Sequence, residues 1–284
     1  MPVNAPGSQL TAEGERPGWA RLRAVAGGPA VWLCGDRPGW AGICQLCRGP
    51  ARPGRSLCFQ CDLQAQSAPG SLADAVVPIA YAVKGGGHAR DLWTYKSGGP
   101  AAAEAGLRLA VLLALFLREH GSCLWRAAGI CGPTHVGVVP SGRGRAGTHP
   151  LRALVQPCTR LPWADLTARP GGSGGARDLD PGRFRAARLA RARVLLLDDT
   201  WTSGASAQSA VMALRRAGAG AVAVIVLGRH LAAGPDPARN PADLPRPGLH
   251  RPDPDGRPVP CCLPCAAGAP APPAVRRPGG PGST

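Results

Sequence analysis

The residues best suited to chemistry are two adjacent aspartates, Asp198 and Asp199. They follow the apolar run 194–197 and precede Thr200-Trp201-Thr202-Ser203-Gly204-Ala205-Ser206. A strand buried on both faces would deliver both carboxylates at its C-terminal end, and the loop of hydroxyl and glycine residues would then open a helix. Such a loop can surround a phosphate with backbone N–H groups, Thr and Ser hydroxyls and the positive end of the helix dipole. Two acids beside a phosphate cradle suit a sugar phosphate, whose hydroxyls need acceptors. The plainer alternative is a helix capped by an acid after a buried strand, which needs only one carboxylate and no glycine-hydroxyl loop.

Four cysteines carry a second signature. Cys44-Gln45-Leu46-Cys47 and Cys58-Phe59-Gln60-Cys61 are C-x2-C pairs ten residues apart, with Gly49, Pro50, Pro53 and Gly54 between them. Each pair can wrap one side of a tetrahedral ion, and the spacer lets the chain return with the second pair. Four thiolates leave no open coordination position, so the expected Zn2+ is structural rather than catalytic. Cys34 is a poorer candidate ligand by its offset. Cys262 and Cys265, preceded by Cys261, lack a partner pair and read as free thiols, and Cys123, Cys131 and Cys158 stand singly.

The elements that must position these residues are strands at 75–82, 135–139, 194–197 and 221–227, and helices at 101–120, 148–155 and 205–217. Gly218 sits where a helix C-cap glycine belongs. Strand and helix alternate, and the last three strands are continuous apolar runs. This is the pattern of an α/β fold with a mostly parallel sheet and a ligand site at the strand C-terminal ends. The expected organisation is a disordered arm at 1–30, a zinc-binding knuckle at 31–70, the main domain at 71–230 and a disordered Pro/Gly-rich tail at 231–284. The apolar stretch around 107–117 is interrupted by Arg108 and flanked by Glu104 and Arg118, so a buried helix is expected there and no membrane segment. A cytoplasmic chain would keep its eleven cysteines reduced.

The net charge of the 284 residues is +16, and 31 of the 33 basic residues are arginine, lysine occurring only at Lys84 and Lys96. Half of the excess lies in 141–193, where eleven arginines face three aspartates. A charge so concentrated suits a small polyanion better than a generic nucleic-acid tail.

The segment at 194–206 resembles the signature of the type I phosphoribosyltransferases, which bind 5-phosphoribosyl-1-pyrophosphate (PRPP). The resemblance implies that Asp198 and Asp199 hold the ribose 2′ and 3′ hydroxyls as the catalytic pair. It implies also that Thr202, Ser203, Gly204, Ala205 and Ser206 bind the 5′-phosphate. Val138-Val139-Pro140-Ser141-Gly142-Arg143-Gly144-Arg145 falls where that family has its pyrophosphate loop. Ser141, Arg143 and Arg145 are then placed to meet the diphosphate, although the segment alone could be a solvated basic turn. The glycine-rich stretch from Thr167 to Asp178 would be a mobile lid. Thr200 and Trp201 depart from the family's aliphatic residues, and Trp201 is expected to crowd the ribose or stack on an incoming base. A four-cysteine knuckle, Tyr81 and Lys84, then Tyr95-Lys96-Ser97-Gly98-Gly99 and these loops together resemble the ComF-type phosphoribosyltransferases associated with DNA uptake.

What the resemblance implies is a type I phosphoribosyltransferase fold and transfer of phosphoribosyl from PRPP, with Mg2+, to a nucleobase-like nitrogen, releasing pyrophosphate. The alternative is a non-catalytic accessory module that binds single-stranded DNA or a competence helicase. A low aromatic content, 4%, argues against a base-stacking platform for DNA.

Overall fold

The computed structural model describes residues 25, 32–33, 42–141, 149–169 and 177–231. Arg143 and Arg145, Cys34, Cys261, Cys262 and Cys265, most of the arm and the tail beyond 231 lie outside the described residues. In chain order the elements are β1 (Trp32–Leu33), α1 (Phe59–Ser67), β2 (Ala75–Pro78), β3 (Ala80–Val83), α2 (Gly87–Thr94) and α3 (Pro100–Ala127). They continue with β4 (His135–Val138), α4 (Pro150–Val155), β5 (Leu166–Ala168), β6 (Phe184–Ala186), β7 (Arg193–Trp201), α5 (Ala205–Arg216) and β8 (Ala221–Leu231).

The fold is mixed α/β around a mostly parallel sheet. β8 is central: it pairs with β7 from Arg193↔Ala221 to Trp201↔Arg229, and along its other edge with β2 and β3 laid end to end. β4 extends the sheet beyond β7, also parallel, and β1 closes the far edge antiparallel to β3. The single strand expected at 75–82 is divided after Pro78, which has no N–H to give the ladder. The chain stays in line because Ile79 N donates to Val226 O at 2.8 Å.

Alternation along β7 and β8 sends their apolar side chains into two cores. Leu195, Leu197, Ala223, Ile225 and Leu227 pack with Leu92, Leu109, Leu113 and Leu151 of α2, α3 and α4. Val194, Leu196, Val222, Val224 and Val226 pack with Ala207, Val211 and Leu214 of α5, and with Cys44, Cys47 and Cys61. Each such side chain contributes roughly 1.5–3 kcal/mol of burial, which is why these strands are continuous apolar runs. The cysteine segment is therefore packed into the second core.

Three elements outrun their expected length; β8 continues past 227 to Leu231, and α3 and β7 are the others. α3 continues past 120 to Ala127, and the chain turns at Gly129, whose φ is +67°. Pro100–Arg118 is long and apolar enough to cross a bilayer, yet it lays Ala105, Leu109 and Leu113 on the sheet. β7 runs through Trp201, so Asp198 and Asp199 lie within the ladder, Asp198 opposite Val226 and Thr200 opposite Gly228. The expected turn after α5 is present: Gly218 has φ +100°, and a Cβ there would strike the Leu189 carbonyl. β5 and β6 pair antiparallel, and residues 170–176 of the expected glycine-rich lid lie outside the described residues.

Candidate functional site

Strand β7 brings Asp198 and Asp199 to the C-terminal edge of the sheet, and two elements distant in sequence meet them there. Tyr95 Oη donates to Asp199 Oδ2 at 2.6 Å, and Lys96 Nζ pairs with the same oxygen at 2.7 Å. Both follow α2, which is pinned three ways. Arg108 of α3 forks onto the Asp91 carboxylate at 2.6 and 2.9 Å. His88 Nε2 donates to Leu227 O at 2.9 Å, burial holding its ring below the usual imidazole range and hence uncharged. Leu92 lies over Gly228, where a Cβ would collide with it.

Asp198 takes a different environment. Burial pushes its carboxyl from near 3.8 up to about 8, and the adjacent Asp199 charge adds to the rise; bonds from the Asp199 and Thr200 amides and the Lys96 charge only partly offset it. This environment favours the protonated form of Asp198, while the lysine and tyrosine contacts are made to Asp199.

A cleft of about 420 Å3 opens beside Thr200. It is lined by Lys84, Arg90, Lys96 and His230, with Trp93 on its wall, so both lysines of the chain meet at one place. Burial, then Arg229 and Lys84, keep His230 below its usual range. Ser141 stands at the same sheet edge, three residues past the Val138↔Leu197 pair.

On the other side of the aspartates the chain leaves β7 and enters α5 through Gly204, φ +83°. Among the described residues the amides of Thr202, Ser203 and Gly204 have no acceptor, whereas Ser203 Oγ caps Ala205 N at 3.3 Å. Arg183 Nη1 donates to Ser206 Oγ at 3.2 Å. Trp201 does not crowd this site. It is 1% exposed, packs in the core on the cysteine side, and its ring fills the space a Cβ on Gly204 would need.

The four cysteines converge as their spacing implies. Cys44 and Cys47 lie on a tight turn closed by Cys44 N to Gly49 O at 2.8 Å and Arg48 N to Cys44 O at 2.9 Å. Cys58 and Cys61 lie at the start of α1. All four sulfurs fall within 4.8 Å of one another, and Cys47 and Cys58 are 3.7 Å apart. A tetrahedron with Zn–S bonds of about 2.3 Å has edges of about 3.8 Å, so these residues fit a thiophilic tetrahedral ion. Hydrogen bonds among the sulfurs pull Cys44 far down, chiefly through Cys47, and push Cys61 far up, chiefly through Cys44. Crowded thiols of this kind need a cation to ionise together.

The two cysteine pairs are brought together as their spacing suggests. The sequence reading assigned no role to Tyr95, Arg90, His230, Arg183, Gln64 or Arg229. For Tyr95 and Lys96 a signal existed, a basic-aromatic pair before Gly98-Gly99 in a chain with two lysines. Among 31 arginines, Arg183 and Arg229 carried none.

Two outcomes are expected. Metal analysis of purified protein returns about one zinc per chain, and its removal lowers the melting temperature; protein free of zinc with an unchanged melt contradicts the cysteine site. Between about pH 4 and 8 the folded state keeps a proton on Asp198 that the unfolded chain releases, so this residue's contribution to stability falls as pH rises. Asp198→Asn lacks that slope and gains stability relative to the parent from pH 5 to pH 8. Melting curves showing a constant difference would contradict the burial of Asp198.

No known protein family and no curated protein matches the chain. Among solved structures, a purine phosphoribosyltransferase from Pyrococcus horikoshii Ot3 aligns with 45% of this chain and 87% of its own, at 17% identity and a TM-score of 0.27.

Proposed function

We propose that the chain is a type I phosphoribosyltransferase of the ComF kind, which binds PRPP with Mg2+ and transfers phosphoribosyl to a nitrogenous base. The observation that carries this reading is the placement of the acid pair: Asp198 and Asp199, the latter held by Lys96 and Tyr95, stand between a loop of amides without acceptors among the described residues and a cleft holding two lysines and an arginine. Each ribose hydroxyl both donates and accepts a hydrogen bond. Two adjacent carboxyls offer acceptors to both hydroxyls of a cis-diol, and a protonated Asp198 can also donate to one of them.

In this reading the 5′-phosphate takes the amides of 202–206 and the start of α5, with the Thr202 and Ser206 hydroxyls beside it. The diphosphate extends into the cleft toward Lys84, Arg90 and Lys96. Ser141, with Arg143 and Arg145 beyond the described residues, would meet it from β4. Mg2+, when bound, neutralises diphosphate charge.

The acceptor nitrogen forms its bond to ribose C1′ as the C1′–O bond to diphosphate breaks with its electron pair. One carboxyl of the Asp198–Asp199 pair takes the acceptor's proton. The protein's contribution is mostly positioning and charge neutralisation of an oxocarbenium-like transition state. Trp93, exposed on the cleft wall, offers a flat face to a planar acceptor. The cysteine site serves as a structural zinc centre, and its reduced thiols suit the cytoplasm.

Calorimetric titration with PRPP and Mg2+ tests this reading, with single-stranded DNA as the comparison ligand. Wild type is expected to bind PRPP, and Lys84→Ala about tenfold more weakly, as loss of a charge-assisted contact implies. A panel of nucleobases should then release pyrophosphate with at least one acceptor. Binding of single-stranded DNA without binding of PRPP would overturn the assignment in favour of the accessory-module alternative.

A further inference from the structure

The cysteine segment touches the phosphate cradle at defined atoms. Gln64 of α1, three residues past Cys61, donates from Nε2 to Ser203 O at 3.0 Å, and this contact is buried. Arg229 of β8 donates from Nη1 to Trp201 O at 2.9 Å and to Thr202 O at 3.0 Å. Its guanidinium fills the space that a Cβ on Gly49 would occupy, inside the Cys44–Gly49 turn, and is 7% exposed. Tyr81 Oη holds the same turn through Arg48 O at 2.8 Å. Three consecutive carbonyls, of 201, 202 and 203, are thus drawn toward the cysteine side.

A trans peptide unit is planar, with its C=O and N–H antiparallel, and none of the described bonds is cis. Drawing the carbonyls of Trp201, Thr202 and Ser203 one way therefore aims the amides of Thr202, Ser203 and Gly204 the other way. These are the three amides that have no acceptor among the described residues. We infer that the cysteine knuckle orients the phosphate cradle, with Gln64 and Arg229 as positioning residues that make 5′-phosphate affinity depend on an intact metal site.

The inference rests on the phosphoribosyl reading but extends it. A knuckle serving stability alone could be tied anywhere on the core. Here two long polar side chains are buried at the point of contact, at a cost in desolvation: Gln64 Oε1 and Arg229 Nε are buried without partners. Arg229 also faces the sulfurs of Cys47, Cys58 and Cys61 and donates to His230 O at 2.8 Å, so it ties the cysteine site itself to the loop, while the Gln64 amide, whose one bond is to Ser203 O, is explained by what that carbonyl orients. Gln64 is also separable from the cleft, whose Lys84 follows β3, Arg90 lies in α2 and Lys96 follows α2, whereas Arg229 reaches the cleft wall as well through His230 O at 2.8 Å.

The test uses the zinc-loaded full chain and Gln64→Leu, which keeps side-chain volume, removes the donor and removes the unpartnered oxygen. Two probes are titrated, ribose 5-phosphate and magnesium pyrophosphate. Wild type is expected to bind both. Gln64→Leu should bind ribose 5-phosphate about five- to tenfold more weakly, the loss of one buried hydrogen bond, with pyrophosphate affinity within about twofold and the melting temperature within about 3 °C. Controlled zinc removal, monitored by circular dichroism, should weaken ribose 5-phosphate binding before it weakens pyrophosphate binding. Unchanged ribose 5-phosphate affinity in Gln64→Leu, or equal loss for both probes, overturns the inference while leaving the phosphoribosyl reading intact. Failure of wild type to bind either probe overturns both.

Discussion

A strand buried on both faces that ends in two carboxylates imposes the constraint from which the rest of the site follows. The two acids meet different surroundings there. Asp198 keeps its proton because burial disfavours its ionised form. Asp199 is met by Tyr95 and Lys96, which reach it at 2.6 and 2.7 Å. That meeting fixes where α2 must end, and the Arg108–Asp91 fork, the His88–Leu227 bond and the missing Cβ of Gly228 are the means by which it is held there. Exposed ion pairs such as Arg55–Asp62 contribute about 0–1 kcal/mol; the more enclosed Asp199 cluster is the one with structural consequence.

The same strand feeds the cradle, where the constraint changes from charge to orientation. A loop that presents amides outward must turn its carbonyls inward, and inward carbonyls need donors. Arg229 and Gln64 supply them from the interface with the cysteine segment. Trp201 fills the floor beneath Gly204, and the positive φ of that glycine lets the chain pass over the ring. An aromatic residue next to an acid pair suggests a ligand contact by sequence alone. Here it is packing material in the core on the cysteine side.

Continuous apolar runs at 194–197 and 221–227 revealed a parallel sheet because burial on both faces leaves no polar positions to confuse the period. The cysteine pairs were legible because metal geometry restricts spacing so tightly. Contacts that span long separations were not legible: Tyr95 and Asp199 are 104 residues apart, Gln64 and Ser203 139. No local pattern encodes such a meeting. Arg229 was hidden twice, once among 31 arginines and once inside an apolar strand where a charge is unexpected. Pro78 was visible in the sequence, and its break in the ladder follows from the absent N–H.

The claim that the acid pair sits between a phosphate cradle and a diphosphate cleft is tested most directly by a crystal structure with PRPP or a non-hydrolysable analogue and Mg2+. The account expects the 5′-phosphate on the amides of 202–206, the ribose hydroxyls on Asp198 and Asp199, and the diphosphate against Lys84 and Lys96. A ligand bound elsewhere, or one that leaves both carboxyls on their present protein partners alone, would contradict it.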